Sequence, residues 1–265
     1  MRVRVLADDP FHPLLVSAAE LLRTRHRVDL IDSAAQPRAP AEPADPADVY
    51  LLKSHSPRAL ALARAAEDRG ARVVNGAAPT EFCRDRARMA ERSQAGGLPF
   101  PQTYEFASLS GLIASATGSR PPGFPMVVKS RHSRRRDLVR RVDGPEGLSA
   151  LRPVWGREPV VVQEHVPNDG WDHKVWVVGD EVFVGLRRTP LEPEALAATI
   201  PVDMDDLPPG WLDMIRSVGG LFDLQVYGVD MFPTDRGPMI VDVNAFPGCR
   251  GARGAPEALA ALVDP

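Results

Sequence analysis

The residues best suited to chemistry lie near the carboxyl end of the chain, where acidic and amide side chains recur in two apolar segments. Asp230 lies in the segment 225–232, and Asp242 and Asn244 stand two apart in the segment 238–246. In an extended strand, residues two apart face the same side. Two carboxylates and an amide oxygen form a hard-oxygen site suited to Mg²⁺, which takes water and phosphate oxygens as its other ligands. Because carboxylates are costly to bury without a cation or hydrogen-bond donors, we expect these three residues to bind a metal. The alternative is that they are hydrogen-bonded turn residues at strand ends.

Lysine is rare in this chain, which makes each lysine informative. Only Lys53, Lys129 and Lys174 are present, and the other 29 of the 32 basic residues are arginine. A lysine that remains in so arginine-rich a composition marks a position where a compact ammonium differs from a guanidinium fork. Lys129 ends an apolar segment before the basic loop 130–137, and we expect it to hold nucleotide phosphates. The alternatives are chance survival for a lysine and a solvated face for the arginine run.

A second candidate site is the segment 163–166, where an apolar strand turns polar. Gln163, Glu164, His165 and the backbone of Val166 could pair with an adenine edge and a ribose. A simple turn at a strand end would show the same residue types, so both interpretations stand.

Cations also flank a predicted hairpin over 174–188. Lys174 and Arg187 could both reach a phosphoryl group during transfer. Positive charge placed where negative charge develops is most of what phosphoryl transfer requires of a protein.

The elements that must position these residues follow an α/β (α+β) pattern. Strands alternate with helices over 1–78, which predicts an N-terminal parallel α/β domain. We divide the remainder into a helical connector over 79–123 with one helix over 79–97, a small subdomain over 124–160, and a C-terminal subdomain over 161–265. The segment 189–209 is predicted to be a mobile loop. No Gly-x-Gly-x-x-Gly motif is present, so a dinucleotide-binding role has no support.

Composition excludes several classes of protein. The 265 residues are 44% hydrophobic and 25% charged, with a net charge of −3, which is typical of a globular domain and not of a disordered chain. We therefore expect no nucleic-acid partner and no membrane partner. Cys83 and Cys249 lie far apart, which argues against a disulfide scaffold or a zinc site and favours a cytoplasmic location. The oligomeric state is not predicted.

The order of these features is a cation, an adenine-type strand, a second cation, and then Asp…Asp-x-Asn. In this order the sequence resembles the ATP-grasp superfamily, and within it the inositol 1,3,4-trisphosphate 5/6-kinases. The segments that carry the resemblance are VVQEHVPNDGWDHKVWVVGD (161–180), YGVDMF (227–232), IVDVNAFPG (240–248), DVYLLKS (48–54) and RDRARM (84–89). The segment around Asp172 and Arg187-Arg188 also resembles the peptide-ligase branch of the superfamily.

The resemblance implies an ATP-grasp fold that uses ATP and Mg²⁺, and it implies roles for individual residues. The implied ATP-binding residues are Arg86, Lys129, Gln163, Glu164, His165 and Val166. The implied acceptor-binding residues are Lys53, Lys174, Asn244 and Gly248, and the implied catalytic residues are Lys174 and Arg187. The implied metal ligands are Asp230, Asp242 and Asn244. The loop 130–137, SRHSRRRD, departs from the kinases because it has no glycine, and the acceptor-binding histidine of the kinases has no clear match.

Three functions are consistent with these features. The first is a kinase that acts on an inositol phosphate or a similar anionic small molecule. The second is a carboxylate–amine ligase that works through an acyl phosphate. The third is a non-catalytic ATP-binding protein, against which the intact set of Asp230, Asp242 and Asn244 argues. The first is the main hypothesis from the sequence, and the second is its alternative.

Overall fold

The structure is a computed structural model that describes residues 1–34, 46–115, 123–189, 191 and 199–264. Within these ranges, no helix has both the length and the apolar character needed to cross a membrane.

The N-terminal region is the parallel α/β unit that the sequence predicted. Its four strands run parallel in the order β2-β1-β3-β4. Val3 and Val5 on one face of β1 pack against α1, whereas Leu6 on the other face packs against α2, as the two-residue period of a strand requires. The elements are β1 (Arg2–Ala7), α1 (Pro13–Leu22), β2 (Arg27–Asp32), β3 (Val49–Lys53), α2 (Pro57–Asp68) and β4 (Arg72–Val74).

The single helix predicted over 79–97 is wrong, because two helices occupy this segment. They are α3 (Ala77–Phe82) and α4 (Arg86–Ala95). The break falls at Asp85, whose carboxylate accepts hydrogen bonds from the backbone N–H of Ala87 at 3.1 Å and of Arg88 at 3.4 Å. Asp85 is thus an N-cap that starts a new helix, and Gly96 follows its last residue.

The second sheet, called the small sheet below, has four strands in the order β5-β8-β6-β7, with each neighbouring pair antiparallel. The apolar side chains of one face pack against two helices. The elements are β5 (Thr103–Phe106), α5 (Leu109–Ser115), β6 (Met126–Ser130), β7 (Val139–Val142), α6 (Pro145–Trp155) and β8 (Val160–Glu164).

This sheet corrects the division made from the sequence. The sequence-based division cuts β8 at residue 160 and places most of it in the C-terminal subdomain, and it places β5 in the connector. Both belong to the small sheet, because β5 pairs with β8 from Thr103↔Gln163 to Phe106↔Val160 and β8 pairs in turn with β6.

The third sheet is antiparallel throughout, in the order β11-β10-β9-β12-β13. The hairpin predicted over 174–188 is confirmed, with Gly179-Asp180 between its two strands. The elements are β9 (Trp171–Val178), β10 (Glu181–Arg188), β11 (Ile200–Val202), a short 3-10 helix (Met204–Asp206), α7 (Trp211–Phe222), β12 (Val226–Thr234), β13 (Gly237–Ala245) and α8 (Ala255–Val263).

The predicted loop 189–209 is only partly a loop. Residues 190 and 192–198 lie outside the described residues. Ile200–Val202 form β11, which pairs with β10 through Val184↔Val202.

Alternation along the third sheet places the candidate site residues on one face. Val175 on β9 and Val229 on β12 pack against α7. Asp172, Lys174 and Asp230 alternate with residues of that face and therefore project to the opposite side, toward the small sheet.

Candidate active site

Most of the site residues predicted from the sequence line one cavity of about 200 Å³ between the small sheet and the third sheet. They are Arg86, Lys129, Gln163, Glu164, His165, Val166, Arg187, Asp230 and Asp242. The cavity is also lined by Asp172 and by apolar residues that include Val127, Phe232 and Val241. The cavity thus brings together residues that are up to 156 positions apart in the chain, from Arg86 on α4 to Asp242 on β13.

The acidic pair lies on neighbouring strands. Asp230 on β12 and Asp242 on β13 are direct register partners, and Asn244 stands opposite Gly228 two pairs further along. Side chains opposite each other on an antiparallel pair share a face. The two carboxylates therefore project side by side into the cavity, and the amide of Asn244 follows on the same face.

Two cations hold Asp230 in its ionised form. Lys174 Nζ donates to Asp230 Oδ1, and Arg187 Nη2 lies 3.3 Å from Asp230 Oδ2. Burial alone would raise the pKa of Asp230, but the charges of Lys174 and Arg187 hold it below its ordinary value. Asp230 is therefore a carboxylate at neutral pH and is suited to ligate a cation.

These residues fit a magnesium ion. No group of three or more His, Cys, Asp and Glu side chains in the described ranges is arranged to hold a metal. The fit therefore rests on two carboxylates and one amide oxygen. Mg²⁺ commonly takes one or two protein carboxylates and fills its other positions with water and phosphate oxygens. Asp230 and Asp242, with Asn244 beside them, would supply this set.

Lys129 brings a buried charge into the same cavity. Its Nζ donates to the carbonyl oxygen of Val241 at 3.0 Å, and no ion pair joins it to a carboxylate within the described residues. Burial lowers the pKa of Lys129 to about 8, although the nearby charges of Asp242 and Asp230 oppose this effect. Its ammonium is therefore available to phosphate oxygens.

The segment 163–166 forms the other end of the cavity. Gln163 is buried and donates from Nε2 to Thr103 Oγ1 at 3.3 Å, whereas Glu164 pairs with Arg236 at 3.2 Å. Val166 belongs to a small apolar cluster with Phe232 and Met239. An apolar cluster beside polar backbone and amide groups is consistent with the predicted adenine pocket.

Two arginines of the basic loop 130–137 are paired with carboxylates of neighbouring elements. Arg131 pairs with Asp85, with Nη2 2.8 Å from Oδ2, and also with Glu105. Arg134 pairs with Glu158 at 2.5 Å. Arg131 and Arg134 are neutralised by local carboxylates and fasten the loop to the protein, whereas Arg135 and Arg136 are exposed.

Arg86 lines the cavity, but its hydrogen bonds go to this loop. The buried side chain donates from Nη1 to Asp137 Oδ2 at 2.6 Å and to the Ser130 carbonyl at 2.9 Å. Its Nη2 lies 3.9 Å from Asp242 Oδ2. Its predicted contact with ATP therefore remains a prediction.

Four predicted residues do not line the cavity. Lys174 reaches it through its ion pair with Asp230, and Asn244 lies two residues beyond Asp242. Lys53 and Gly248 lie elsewhere, at the junction between the N-terminal sheet and the segment that follows β13, where Lys53 Nζ donates to the Phe246 carbonyl at 2.9 Å.

Asp172 is a site residue to which the sequence gave no role. It is buried, its Oδ2 lies 4.0 Å from Arg187 Nη2, and its Oδ1 has no hydrogen-bond partner among the residues that the structure describes. Burial and the nearby charge of Asp230 raise the pKa of Asp172 to about 6. The two-residue spacing from Lys174 was the signal that placed it on the site face.

Comparison with known proteins agrees with this geometry. The family model described as "RimK-like ATP-grasp domain" matches residues 117–256, which is more than half of the chain. ATP-grasp enzymes use ATP and Mg²⁺.

Curated relatives carry the name of a ligase. A "probable alpha-L-glutamate ligase" of Xanthomonas campestris pv. campestris (strain B100) is 29% identical over 130 residues, which cover 44% of this chain and 41% of the relative. A protein of the same name from Shewanella loihica is 25% identical over 210 residues, which cover 74% of this chain and 66% of the relative. The matches thus span between about two fifths and two thirds of these relatives.

Solved structures show the same fold. A RimK domain ATP-grasp protein from Sphaerobacter thermophilus aligns with a TM-score of 0.74 and 22% identity over 99% of both chains. The D-alanine–D-alanine ligase from Bacillus anthracis aligns with a TM-score of 0.73 and 18% identity over 100% of this chain and 95% of that chain. The names of these proteins favour the ligase alternative, and a closeness to inositol phosphate kinases gains no support. The chain belongs to the RimK-like ATP-grasp family.

Proposed function

We propose that the protein is an ATP-dependent carboxylate–amine ligase that joins the carboxylate of a small anionic or peptide substrate to an amine. The observation that carries the proposal is that the RimK-like match over 117–256 includes the cavity residues Lys129, Arg187, Asp230 and Asp242, and also Lys174, which pairs with Asp230. The ligase names of the relatives add support.

The chemistry needs two displacements. A carboxylate oxygen forms a bond to the terminal phosphorus of ATP as the bond to ADP breaks, which gives an acyl phosphate. The amine nitrogen then attacks the acyl carbon, the bond to phosphate breaks, and the nitrogen loses a proton. The products are an amide, ADP and phosphate.

The side chains on the third sheet suit the negative charge that this sequence of steps generates. A bound Mg²⁺ would neutralise phosphate oxygens beside Asp230 and Asp242. Lys174 and Arg187 lie against Asp230 and supply fixed positive charge, and Lys129 supplies a third cation from the small sheet. Cations held in a cavity with little water stabilise developing charge more strongly than they would in bulk solvent.

The test is a balance of products. The protein is incubated with Mg-ATP and with carboxylic acids and amines, singly and in pairs, and ADP and phosphate are both measured. We expect equal amounts of ADP and phosphate only when an acid and an amine are both present, with Asp242→Asn as the inactive control. Formation of ADP without free phosphate, dependent on an inositol phosphate, would instead indicate a kinase and overturn the proposal.

A further inference from the structure

A second cavity, of about 420 Å³, lies where α3, α4 and the end of α7 meet. We call it the rear pocket, and it shares no lining residue with the active-site cavity. Its volume lies within the range of small-molecule sites. Besides small residues of α3, its lining consists of two aromatic, two basic and two acidic side chains: Phe82, Phe222, Arg88, Arg92, Glu81 and Asp223.

Two arginines form one wall of the rear pocket and stack on an aromatic ring. The guanidinium carbon of Arg88 lies 4.4 Å from the centroid of the Phe82 ring, and that of Arg92 lies 3.7 Å from it. A guanidinium stacked on a ring keeps its N–H donors in its own plane, so they stay available to a carboxylate.

The charge of these two arginines is not balanced by a carboxylate. Within the described ranges, neither Arg88 nor Arg92 forms an ion pair, whereas Arg64 pairs with Glu81. The two stand four positions apart on α4, where like charges repel each other. The wall therefore favours an added anion.

The acidic side chains of the rear pocket differ in their partners. Glu81 is already paired with Arg64. Asp223 is the exposed C-cap of α7, and no cation pairs with it in the part of the chain that the structure describes. The carboxyl end of a helix carries partial negative charge, which adds to the charge of Asp223. The rear pocket thus presents a negative edge that is separate from its positive wall.

The apolar part of the rear pocket lies beside these charges. The rings of Phe82 and Phe222 meet edge to face, with their centroids 6.1 Å apart, and Phe222 is buried. A ligand that matches all three features carries a carboxylate for Arg88 and Arg92, an ammonium for Asp223, and an apolar group for the rings. An α-amino acid with an apolar side chain has these three groups on one carbon atom.

The helix α4 joins the rear pocket to the candidate active site. Arg86 begins this helix and lines the active-site cavity, and the sulfur of Met89 accepts a hydrogen bond at 3.3 Å from a backbone N–H of β13. Burial and the charge of Asp242 raise the pKa of the Cys83 thiol to about 12, and the charge of Arg92 opposes this effect. Cys83 therefore lies within electrostatic reach of both the rear pocket and the acidic pair.

We propose that the rear pocket is an effector site, which binds the zwitterion of an apolar α-amino acid and through α4 changes the affinity of the active-site cavity for nucleotide. Arg88 and Arg92 hold the carboxylate, Asp223 holds the ammonium, and the two rings contact the side chain. The inference goes beyond the proposed function and does not depend on which reaction the active site performs.

The first test measures binding on the full chain without nucleotide. Calorimetry compares L-leucine with isoamylamine and isocaproate, and L-phenylalanine with phenethylamine and hydrocinnamate. In each set, the second compound lacks the carboxylate and the third lacks the ammonium. We expect at least one amino acid to bind with a Kd below about 1 mM and about tenfold more tightly than either of its partners, since each partner loses one charge-assisted contact.

Variants locate the bound amino acid. Arg92→Gln and Arg88→Gln should reduce the affinity of the amino acid to about that of the amine and leave the amine unchanged. Asp223→Asn should reduce it to about that of the deaminated acid, because asparagine tolerates the left-handed backbone of Asp223, with φ 55°. Arg216→Gln, which changes an exposed arginine of α7 outside the rear pocket, should keep the wild-type affinity. Thermal unfolding verifies that each variant is folded.

The second test measures the effect on nucleotide binding. The Kd of Mg-ADP is determined with and without the saturating amino acid, and we expect the two values to differ at least about threefold. By linkage, Mg-ADP must change the Kd of the amino acid by the same factor. The difference should disappear in Arg92→Gln, whereas Mg-ADP alone should bind this variant as it binds the wild type.

Three results would overturn the proposal. If neither amino acid binds more tightly than its partners, the rear pocket is not a site for the zwitterion. If binding is unchanged in both Arg88→Gln and Arg92→Gln, the amino acid lies elsewhere, as a substrate in the active-site cavity would. If the Kd of Mg-ADP is the same with and without the amino acid, the rear pocket is not an effector site.

Discussion

Replacement of Lys129 by methionine should make the nucleotide-free protein more stable while it removes nucleotide binding. Methionine has a similar length and no charge. Burial lowers the pKa of Lys129 from 10.5 to about 8, which at about 1.4 kcal/mol per pKa unit corresponds to a cost of about 3 kcal/mol for the buried charge. Loss of the hydrogen bond to the Val241 carbonyl costs the variant about 1 kcal/mol, which offsets part of this gain in stability. We therefore expect a net gain of about 2 kcal/mol in the free energy of unfolding at pH 7.

Thermal unfolding with and without Mg-ATP measures both effects. Without nucleotide, Lys129→Met should melt about 5 °C above the wild type. With Mg-ATP at about 100 times its Kd, the wild type should gain about 2.7 kcal/mol and the variant almost nothing, so that the order of the two proteins reverses. Lys53→Met is the matched control, because it makes the same chemical change outside the cavity and should keep the full gain from Mg-ATP.

The pH dependence gives a further check on the same reasoning. Because the folded-state pKa of Lys129 is lowered, the unfolded chain binds more protons than the folded one between about pH 8 and 10. The wild type should thus recover stability relative to Lys129→Met as the pH rises through that window. A variant less stable than the wild type at pH 7 would refute the cost of the buried charge. An undiminished gain from Mg-ATP in the variant would refute the role of Lys129 in binding.

Three further changes probe the metal pair, an interdomain contact and the unassigned acid. Asp242→Asn should lower the rate of ADP release at least about 100-fold with little change in melting temperature, because it removes a metal ligand and keeps the shape. Asn75→Ala should cost about 3 kcal/mol in urea unfolding, since the buried Asn75 side chain makes three hydrogen bonds, at 2.7, 2.8 and 2.9 Å, to the backbone of Gln225 and Val226. In the wild type, the raised pKa of Asp172 means that its contribution to stability is lost as the pH rises from about 4 to 6, and Asp172→Asn should remove that pH dependence of the melting temperature.

Local patterns predicted much of the fold. Ser56 before Pro57 predicts the start of α2, where the serine hydroxyl accepts from the Ala59 N–H at 3.1 Å. The apolar residues Trp211, Ile215, Val218 and Phe222 recur at helical spacing, and α7 occupies this segment. The shared face of Asp242 and Asn244 was accessible for the same reason, since the two-residue period of a strand decides which of its side chains share a face. The position of Asp230 beside Asp242 depends in addition on the register between β12 and β13.

Features that depend on contacts between residues far apart in the chain could not be predicted from the sequence. β5 is a short segment whose assignment as a strand depends on pairing with β8, about 60 residues away. The sequence around Arg131 indicates an unpaired cation, but Asp85, which lies 46 positions away in the chain, forms an ion pair with it. His12 carries no signal of its own, because its position opposite Gly248 is created only when the N-terminal sheet packs on the segment after β13.

The scarcity of lysine proved informative for a reason that concerns the edge of the third sheet. β13 is an outer strand of that sheet, so one of its edges offers backbone groups that no neighbouring strand satisfies. Lys129 donates to the carbonyl of Val241 on this strand, and Lys53 donates to the carbonyl of Phe246 directly after it. A single compact ammonium can satisfy a carbonyl and still present two protons to a ligand, whereas a planar guanidinium needs a wider space. The two lysines therefore donate to carbonyls on either side of Asp242 and Asn244 in the chain, and Lys129 also keeps positive charge beside the acidic pair.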